Sequence, residues 1–261
     1  MITVVYILTA VLALCIGSFL NVVIYRVPEG KSVAFPPSHC PKCQNQIKWY
    51  DNIPVLSYIF LRGKCRNCGK KISLQYPAVE LANTLLWILC VYMFWEKSPV
   101  YALICMAICS VFICIFVIDI HCHLIFYRFQ ISLFVLTAAS VLTKQGPSLT
   151  DRLIGFGAGA VVLTLIYLTF LVIIKREGLG IGDIILIATS GLLTGWQGLI
   201  LVMLISSVSA CFVLLAVRIA SKKHDRFAEY PFAPFIVFAD LMTLFFGGQI
   251  IESYLRLVIG G

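Results

Sequence analysis

Residues 2–25, ITVVYILTAVLALCIGSFLNVVIY, run for 24 positions without a charged side chain. As a helix rising 1.5 Å per residue, such a stretch reaches about 36 Å and can cross a ~30 Å hydrocarbon core. It has no basic start, and its apolar part is too long for the hydrophobic region of a secretory signal. It is therefore expected to remain as a first membrane span. Seven more apolar segments follow: Pro77–Trp95, Val100–Ile118, Phe126–Leu142, Leu153–Ile174, Asp183–Leu193, Gly198–Val217 and Phe232–Phe246. The sixth is short, Gly191 and Gly195 blur its end, and Gly247-Gly248 punctuate the eighth. Composition agrees, with 61% hydrophobic and 12% charged residues, where a soluble domain carries about a quarter charged. The expected fold is an all-α polytopic membrane protein with about eight transmembrane helices.

The net charge of +8 raises the question of nucleic acid, and the placement of the charges answers it. With the N-terminus outside and eight crossings, the inside loops are 26–76, 119–125 with its flank, 175–182 and 218–231. They hold sixteen of the 20 basic residues, leaving Lys97, Lys144, Arg152 and Arg256 outside. Basic residues near span ends favour the cytoplasmic side. That rule accounts for the excess, so membrane lipid and not nucleic acid is the expected surrounding.

The 26–76 loop is polar and too short to support a fold without a staple. It contains Cys40-Pro41-Lys42-Cys43 and Cys65-Arg66-Asn67-Cys68. Two such knuckles can close a tetrahedral four-cysteine zinc site, and a cytoplasmic location disfavours the disulfide alternative. Cys40, Cys43, Cys65 and Cys68 are the candidate metal ligands, with His39 a weaker fifth. The resulting expectation is a small zinc-stapled cytoplasmic loop domain. The site would be structural, because four thiolates leave no open position. Cys15, Cys90, Cys105, Cys109, Cys114, Cys122 and Cys211 lack knuckle spacing and read as packing residues.

Acidic groups inside spans are costly and mark functional sites. Asp119 ends the third apolar segment, Asp183 opens the sixth in Gly180-Ile181-Gly182-Asp183, Glu80 lies near the start of the second, and Asp240 lies inside the eighth. In the topology above, Asp119 and Asp183 fall at one depth near the inner face. Asp240, eight residues past Phe232, lies about 12 Å deeper and is not expected to join them. Two carboxylates at one level can share a proton and act as base and acid on one water, as in aspartic proteases. Gly180 and Gly182 would let a backbone approach Asp183 closely. On spacing alone, both aspartates also read as helix-end caps. His121 and His123 read as solvated loop residues.

In these residues the chain resembles the type IV prepilin leader peptidases, bifunctional prepilin peptidase/N-methyltransferases of the G-x-G-D membrane protease class. The resemblance rests on Gly17-Ser18-Phe19-Leu20-Asn21 through Arg26-Val27-Pro28, both knuckles, Asn52-Ile53-Pro54-Val55-Leu56-Ser57-Tyr58, Leu61-Arg62-Gly63-Lys64-Cys65 and Tyr76-Pro77-Ala78-Val79-Glu80. It implies an aspartyl endopeptidase of the bacterial cytoplasmic membrane, with Asp119 and Asp183 catalytic. Such an enzyme removes the basic leader of prepilins or pilin-like competence and secretion proteins, then methylates the new N-terminus with S-adenosylmethionine. The implied domains are 1–25 as first transmembrane helix, 26–76 as zinc-binding loop and 77–261 as transmembrane peptidase. Two positions depart from the family pattern: Phe126 stands where a proline is usual, and Ile185 where a lysine is. No residue suggests where S-adenosylmethionine binds. Glu80 is a candidate for gripping the substrate amine or for pairing with a basic loop residue.

Two other classes compete. A transporter would use Asp119, Asp183 and Asp240 as an ion path, but no inverted repeat of hydropathy supports one. A catalytically lapsed, zinc-dependent assembly module would keep the loop and lose cleavage. The sequence leaves the oligomeric state open.

Overall fold

A computed structural model describes residues 2–173, 175, 180–220 and 230–259. Arg176, Lys222, Lys223 and Arg226, four of the charges used to orient the chain, lie outside the described residues. The ordered elements are helical: α1 (Ile2–Arg26), α2 (Leu56–Phe60), α3 (Gln75–Phe94), α4 (Pro99–Cys122), α5 (Tyr127–Val141), α6 (Leu149–Ile173), α7 (Ile181–Ala220) and α8 (Ala233–Ile259), with a 3₁₀ turn at Trp49–Asn52. Only two isolated β-bridges, both in the cysteine loop, interrupt this pattern among the described residues. Six helices (α1, α3, α4, α6, α7 and α8) are long and apolar enough to cross a membrane, and α5 is a shorter apolar helix.

The eight expected segments correspond to these seven helices, with ends that overrun them by a residue at Trp95, Phe126, Leu142 and Phe232. The sixth and seventh share the 40-residue α7, whose helical geometry breaks at Gly195 with φ 73° and ψ 176°. No side-chain-bearing residue holds such a conformation readily, so this glycine divides α7 at the expected place. Gly191 does not: it is helical, and it is a packing residue instead. Gly247-Gly248 do not end the eighth segment either, because α8 runs through them to Ile259.

Local chemistry starts several helices. Ser98 accepts the Tyr101 amide at 3.3 Å ahead of Pro99, a serine cap followed by proline in the first turn. Ser148 accepts the Asp151 amide at 3.2 Å and donates to Asp151 Oδ2 at 2.6 Å, a serine N-cap steadied by an acidic residue in the first turn.

The chain forms two compact units, Met1–Cys114 and Ile115–Gly261. In the first, Gly17 of α1 lies so close to α3 that a Cβ would sit 2.8 Å from Glu80 Cα. Small residues permit such approaches in membranes, and polar side chains then bridge the helices. The fully buried Asn83 does so, donating to the Ala13 carbonyl at 2.8 Å and accepting from Ser110 at 2.8 Å, while Trp87 donates to Ser110 at 3.0 Å. In the second unit, α6 and α7 meet glycine to glycine. A Cβ on Gly155 would lie 2.5 Å from the Gly191 carbonyl oxygen, and one on Gly159 would lie 3.1 Å from that of Ile187.

Arg152, read above as an outside loop charge, is instead fully buried at the start of α6. Its guanidinium donates to the Pro147, Gln145 and Leu192 carbonyls and to Ser140 Oγ at 2.8–3.2 Å. It joins the end of α5 and the α5–α6 turn to α7, just before the Gly195 break. Arg26 is also buried, donating to the Ser32 and Pro36 carbonyls at 3.0 and 2.6 Å.

Candidate active site and metal centre

Within the second unit, α4 ends one turn after Asp119 and α7 opens two residues before Asp183. The Asp119 carboxylate is buried at 4% exposure, whereas Asp183 is half-buried. The two are close enough for direct charge–charge interaction. They are the pair that the sequence placed at one depth.

Asp119 Oδ2 accepts the Ala233 amide at 3.1 Å. The first amides of a helix have no partner within it, and residues 230–232 (Tyr-Pro-Phe) supply no capping side chain. A carboxylate from another helix fills that role, so one oxygen of Asp119 acts as a cap. Asp183 bonds the Gly180 amide, and its own amide donates to the Gly180 carbonyl at 3.0 Å. The G-x-G-D segment therefore forms a tight turn around its own aspartate.

Gly182 has a separate requirement. A Cβ there would lie 3.2 Å from Ile125 Cβ and 3.3 Å from Gln130 Nε2. The buried Gln130 donates from Nε2 to the Gly182 carbonyl at 2.8 Å, and its Oε1 is buried without a partner. Sequence reasoning missed Gln130. A polar residue at the fourth position of α5 was its only signal. His121 and His123 are exposed at the end of α4, as expected, and His123 makes the turn there at φ 53°.

Asp240 does not join the pair. It is fully buried on α8 and accepts from Ser190 Oγ at 2.7 Å, leaving Oδ1 without a partner. Glu80 makes no ion pair among the described residues. It accepts the Val55 amide at 2.7 Å and a bond from Ser18, steadying Val55 at φ 60°, where a β-branched residue is strained.

The four knuckle cysteines converge in the first unit, with all Sγ atoms within 4.8 Å of one another. Tetrahedral thiolates at ~2.3 Å from a zinc ion lie about 3.8 Å apart, so the cluster can hold a metal ion. Each knuckle is built the same way. The Cys40 amide donates to the Asn45 carbonyl and the Gln44 amide returns to Cys40; the Cys65 amide donates to the Lys70 carbonyl and the Gly69 amide returns to Cys65. His39 bridges Gln46 in the first and Lys64 bridges Lys71 in the second. In sequence the knuckles share only their C-x-x-C spacing; their hydrogen bonds make them two copies of one hairpin 25 residues apart.

Amides of Cys68 and Asn67 bring the Cys65 thiol down to about 7. At Cys43 the Asn45 amide works the same way, but desolvation and the other three sulfurs prevail and push it up to about 11. Four crowded thiols resist ionising together unless a cation is present. His39 stays outside this set, its Nδ1 3.1 Å from the Pro37 carbonyl. Asp51 takes a two-pronged bond from Arg66 of the second knuckle, 2.7 and 2.8 Å, and that guanidinium lowers its carboxyl. Of the other cysteines, Cys90, Cys105, Cys109 and Cys114 are buried as expected, while Cys15 and Cys211 are exposed on their helices.

Above the knuckles, a cavity of about 600 Å³ opens within the first unit, bounded by Asn21, Tyr25, Tyr58, Lys70, Tyr76 and Glu80 among others.

Comparison with known proteins agrees along the chain. Residues 11–94 match the bacterial peptidase A24 N-terminal domain, and residues 106–215 match the type IV leader peptidase family. A prepilin leader peptidase/N-methyltransferase of Stutzerimonas stutzeri is 34% identical over 278 residues, covering 94% of this chain and 92% of that protein. Proteins of the same name from Aeromonas hydrophila (33%, covering 93% and 91%) and Myxococcus xanthus (34%, covering 85% and 67%) are similar in the same way. No solved structure matches. The two domain matches and near-full-length identity above 30% make this chain a member of the type IV leader peptidase family.

Proposed function

We propose that this protein is a membrane aspartyl endopeptidase that cuts the basic leader from type IV prepilins or pilin-like proteins at the cytoplasmic face. In this reading it also N-methylates the new terminus. The observation that carries it is the pairing of Asp119 with Asp183, two carboxylates from separate helices within mutual electrostatic reach. One carboxylate takes a proton from water as that water attacks the scissile carbonyl. The other donates a proton to the carbonyl oxygen, and the C–N bond then breaks with the proton passing to the leaving amine. The glycines at 180 and 182 let the Asp183 carboxylate and the Ile125–Gln130 wall close in on the turn, which holds Asp183 in place. Relatives named as prepilin peptidases support the choice of substrate.

The four-cysteine cluster is assigned to structural zinc, holding 26–76 as a cytoplasmic domain between the first span, 1–25, and the transmembrane peptidase region, 77–261. S-adenosylmethionine supplies the methyl group when bound. The cavity of the first unit suits it in size and chemistry: Tyr25 and Tyr58 offer aromatic faces, Lys70 a cation for its carboxylate, Glu80 an anion for its amine. Asn21 Oδ1, buried with no hydrogen-bond partner among the described residues, can accept from its amine.

Co-expression with a prepilin tests the proposal. The wild type is expected to shorten the prepilin on a gel and leave an N-methylated terminus by mass spectrometry. Asp183→Asn and Asp119→Asn are each expected to abolish cleavage, a loss of about 10³-fold or more. Cleavage that survives Asp183→Asn overturns the mechanism.

A further inference from the structure

We propose that Asp240 is a positioning residue for leader cleavage: its bond to Ser190 fixes the register of α8 on α7, and so holds the Ala233 amide where it orients Asp119 beside Asp183. The inference rests on the reading of Asp119 and Asp183 as the catalytic pair.

Asp240 is fully buried and makes no ion pair among the described residues; its one hydrogen bond among them is the 2.7 Å contact from Ser190 Oγ. Placing a carboxyl group in an apolar helix interface is costly. A leucine would fill the position without that cost, so packing alone does not account for it. The geometry around the bond does. Ser190 lies seven residues after Asp183 on α7, and Asp240 lies seven residues after Ala233 on α8. At 1.5 Å per residue both arms are about 10.5 Å long. At their near ends the Ala233 amide of α8 reaches Asp119 Oδ2 at 3.1 Å, and Asp119 lies within electrostatic reach of Asp183 at the start of α7. The helices therefore run the same way, and equal arms measured back from the bond end at Asp183 and at Ala233.

Ala233 is the residue whose amide holds Asp119 Oδ2 at 3.1 Å. A slip of α8 by one residue would move that amide by about 1.5 Å and turn it by about 100°, beyond the tolerance of a hydrogen bond. Among the described residues Ser190–Asp240 is the side-chain hydrogen bond that joins α7 to α8, and a hydrogen bond between membrane helices fixes direction and distance together. It is the directional contact that picks one register.

The test uses the full-length enzyme in nanodiscs with an intact prepilin, measuring kcat and KM for cleavage. Asp240→Leu is expected to lower kcat about tenfold or more while KM stays within about twofold, the signature of a misplaced catalytic group. Ser190→Ala, which removes only the donor, is expected to move the same way. Asp240→Asn keeps an acceptor for Ser190 and is expected to retain kcat within about threefold. Wild-type kcat in Ser190→Ala overturns the proposal. So does a loss in Asp240→Asn as large as in Asp240→Leu, because the charge and not the bond would then matter. A rise in KM with kcat unchanged also overturns it. Should Asp240→Leu fail to accumulate, Ser190→Ala and Asp240→Asn decide. Asp183→Asn run alongside separates the two levels: residual cleavage there defeats the dyad itself, whereas a dead Asp183→Asn with an unaffected Ser190→Ala defeats only the register role.

Discussion

Phe126 heads α5 with φ −75° and ψ 134°, a backbone that a pyrrolidine ring would impose by itself. The bend after α4 is made instead at His123, in the left-handed region at φ 53°. The proline usual at 126 is therefore missing as a residue but present as a conformation, which explains how Asp119 keeps its place. Phe126→Pro is expected to leave prepilin cleavage within about twofold and to stabilise the protein by about 0.4–1 kcal/mol through the unfolded chain, read as a raised thermal midpoint in detergent. Ile185, the second departure, is half-buried on α7, and neither aspartate depends on it for a hydrogen bond. The catalytic candidates were legible because charge in an apolar run is rare. Gln130 and Arg152 were not, since an isolated polar residue near a helix end reads the same whether it faces water or clamps a neighbouring carbonyl. Asp240 was visible as an anomaly, but its partner Ser190 was not, because one serine among many in a span carries no signal.

Individual helices followed from hydropathy, but their ends did not follow from the glycines near them, which were the least legible feature. Gly191 and Gly195 lie one turn apart, and only Gly195 takes a positive φ; Gly191 is the contact face for Gly155. Sequence shows that both lack a side chain and cannot show which one has a helix against it. Gly191→Leu would place side-chain atoms into the Gly155 backbone. It is expected to cost about 3 kcal/mol or more by overpacking, seen as a lowered thermal midpoint with cleavage lost in proportion. The cysteine hairpins were legible as ligands but not as a repeat, because the resemblance lies in hydrogen bonds and not in side chains. Gln44 at φ 60° occupies the place that Gly69 takes at φ 67°. The four sulfurs of the two hairpins converge with little apolar core around them, so a bound metal ion is expected to be the main source of order for 26–76. A strong chelator, or Cys65→Ser, is expected to release about one zinc per chain by elemental analysis and to make that segment sensitive to protease. Retained protection after complete metal loss would argue against a zinc staple.

At the scale of the whole chain, the apolar character was evident from composition, whereas the sidedness rests on charge alone. Two of the twenty basic residues used for that inference are structural: Arg26 and Arg152 are buried and satisfied by carbonyls. Removing both from the count leaves the bias intact, since one belonged to each side. The remaining loop charges are dominated by the cysteine hairpins, which carry Lys42, Lys48, Lys64, Arg66, Lys70 and Lys71 within a short polar segment, the kind of loop to which the positive-inside rule applies best. The Gly195 break matters here: read as one uninterrupted span, α7 would put α8 and its Ala233 amide on the wrong face for Asp119, which accepts that amide, so α7 is expected to turn back at Gly195. Reporter fusions check the sidedness. A fluorescent protein joined after Phe60 or after Leu124 is expected to fold and fluoresce in the cytoplasm. Alkaline phosphatase joined after Lys97 or after Gln145 is expected to be active outside. Active phosphatase after Phe60 would reverse the orientation and place the carboxylate pair away from the basic leader of a prepilin, which stays cytoplasmic.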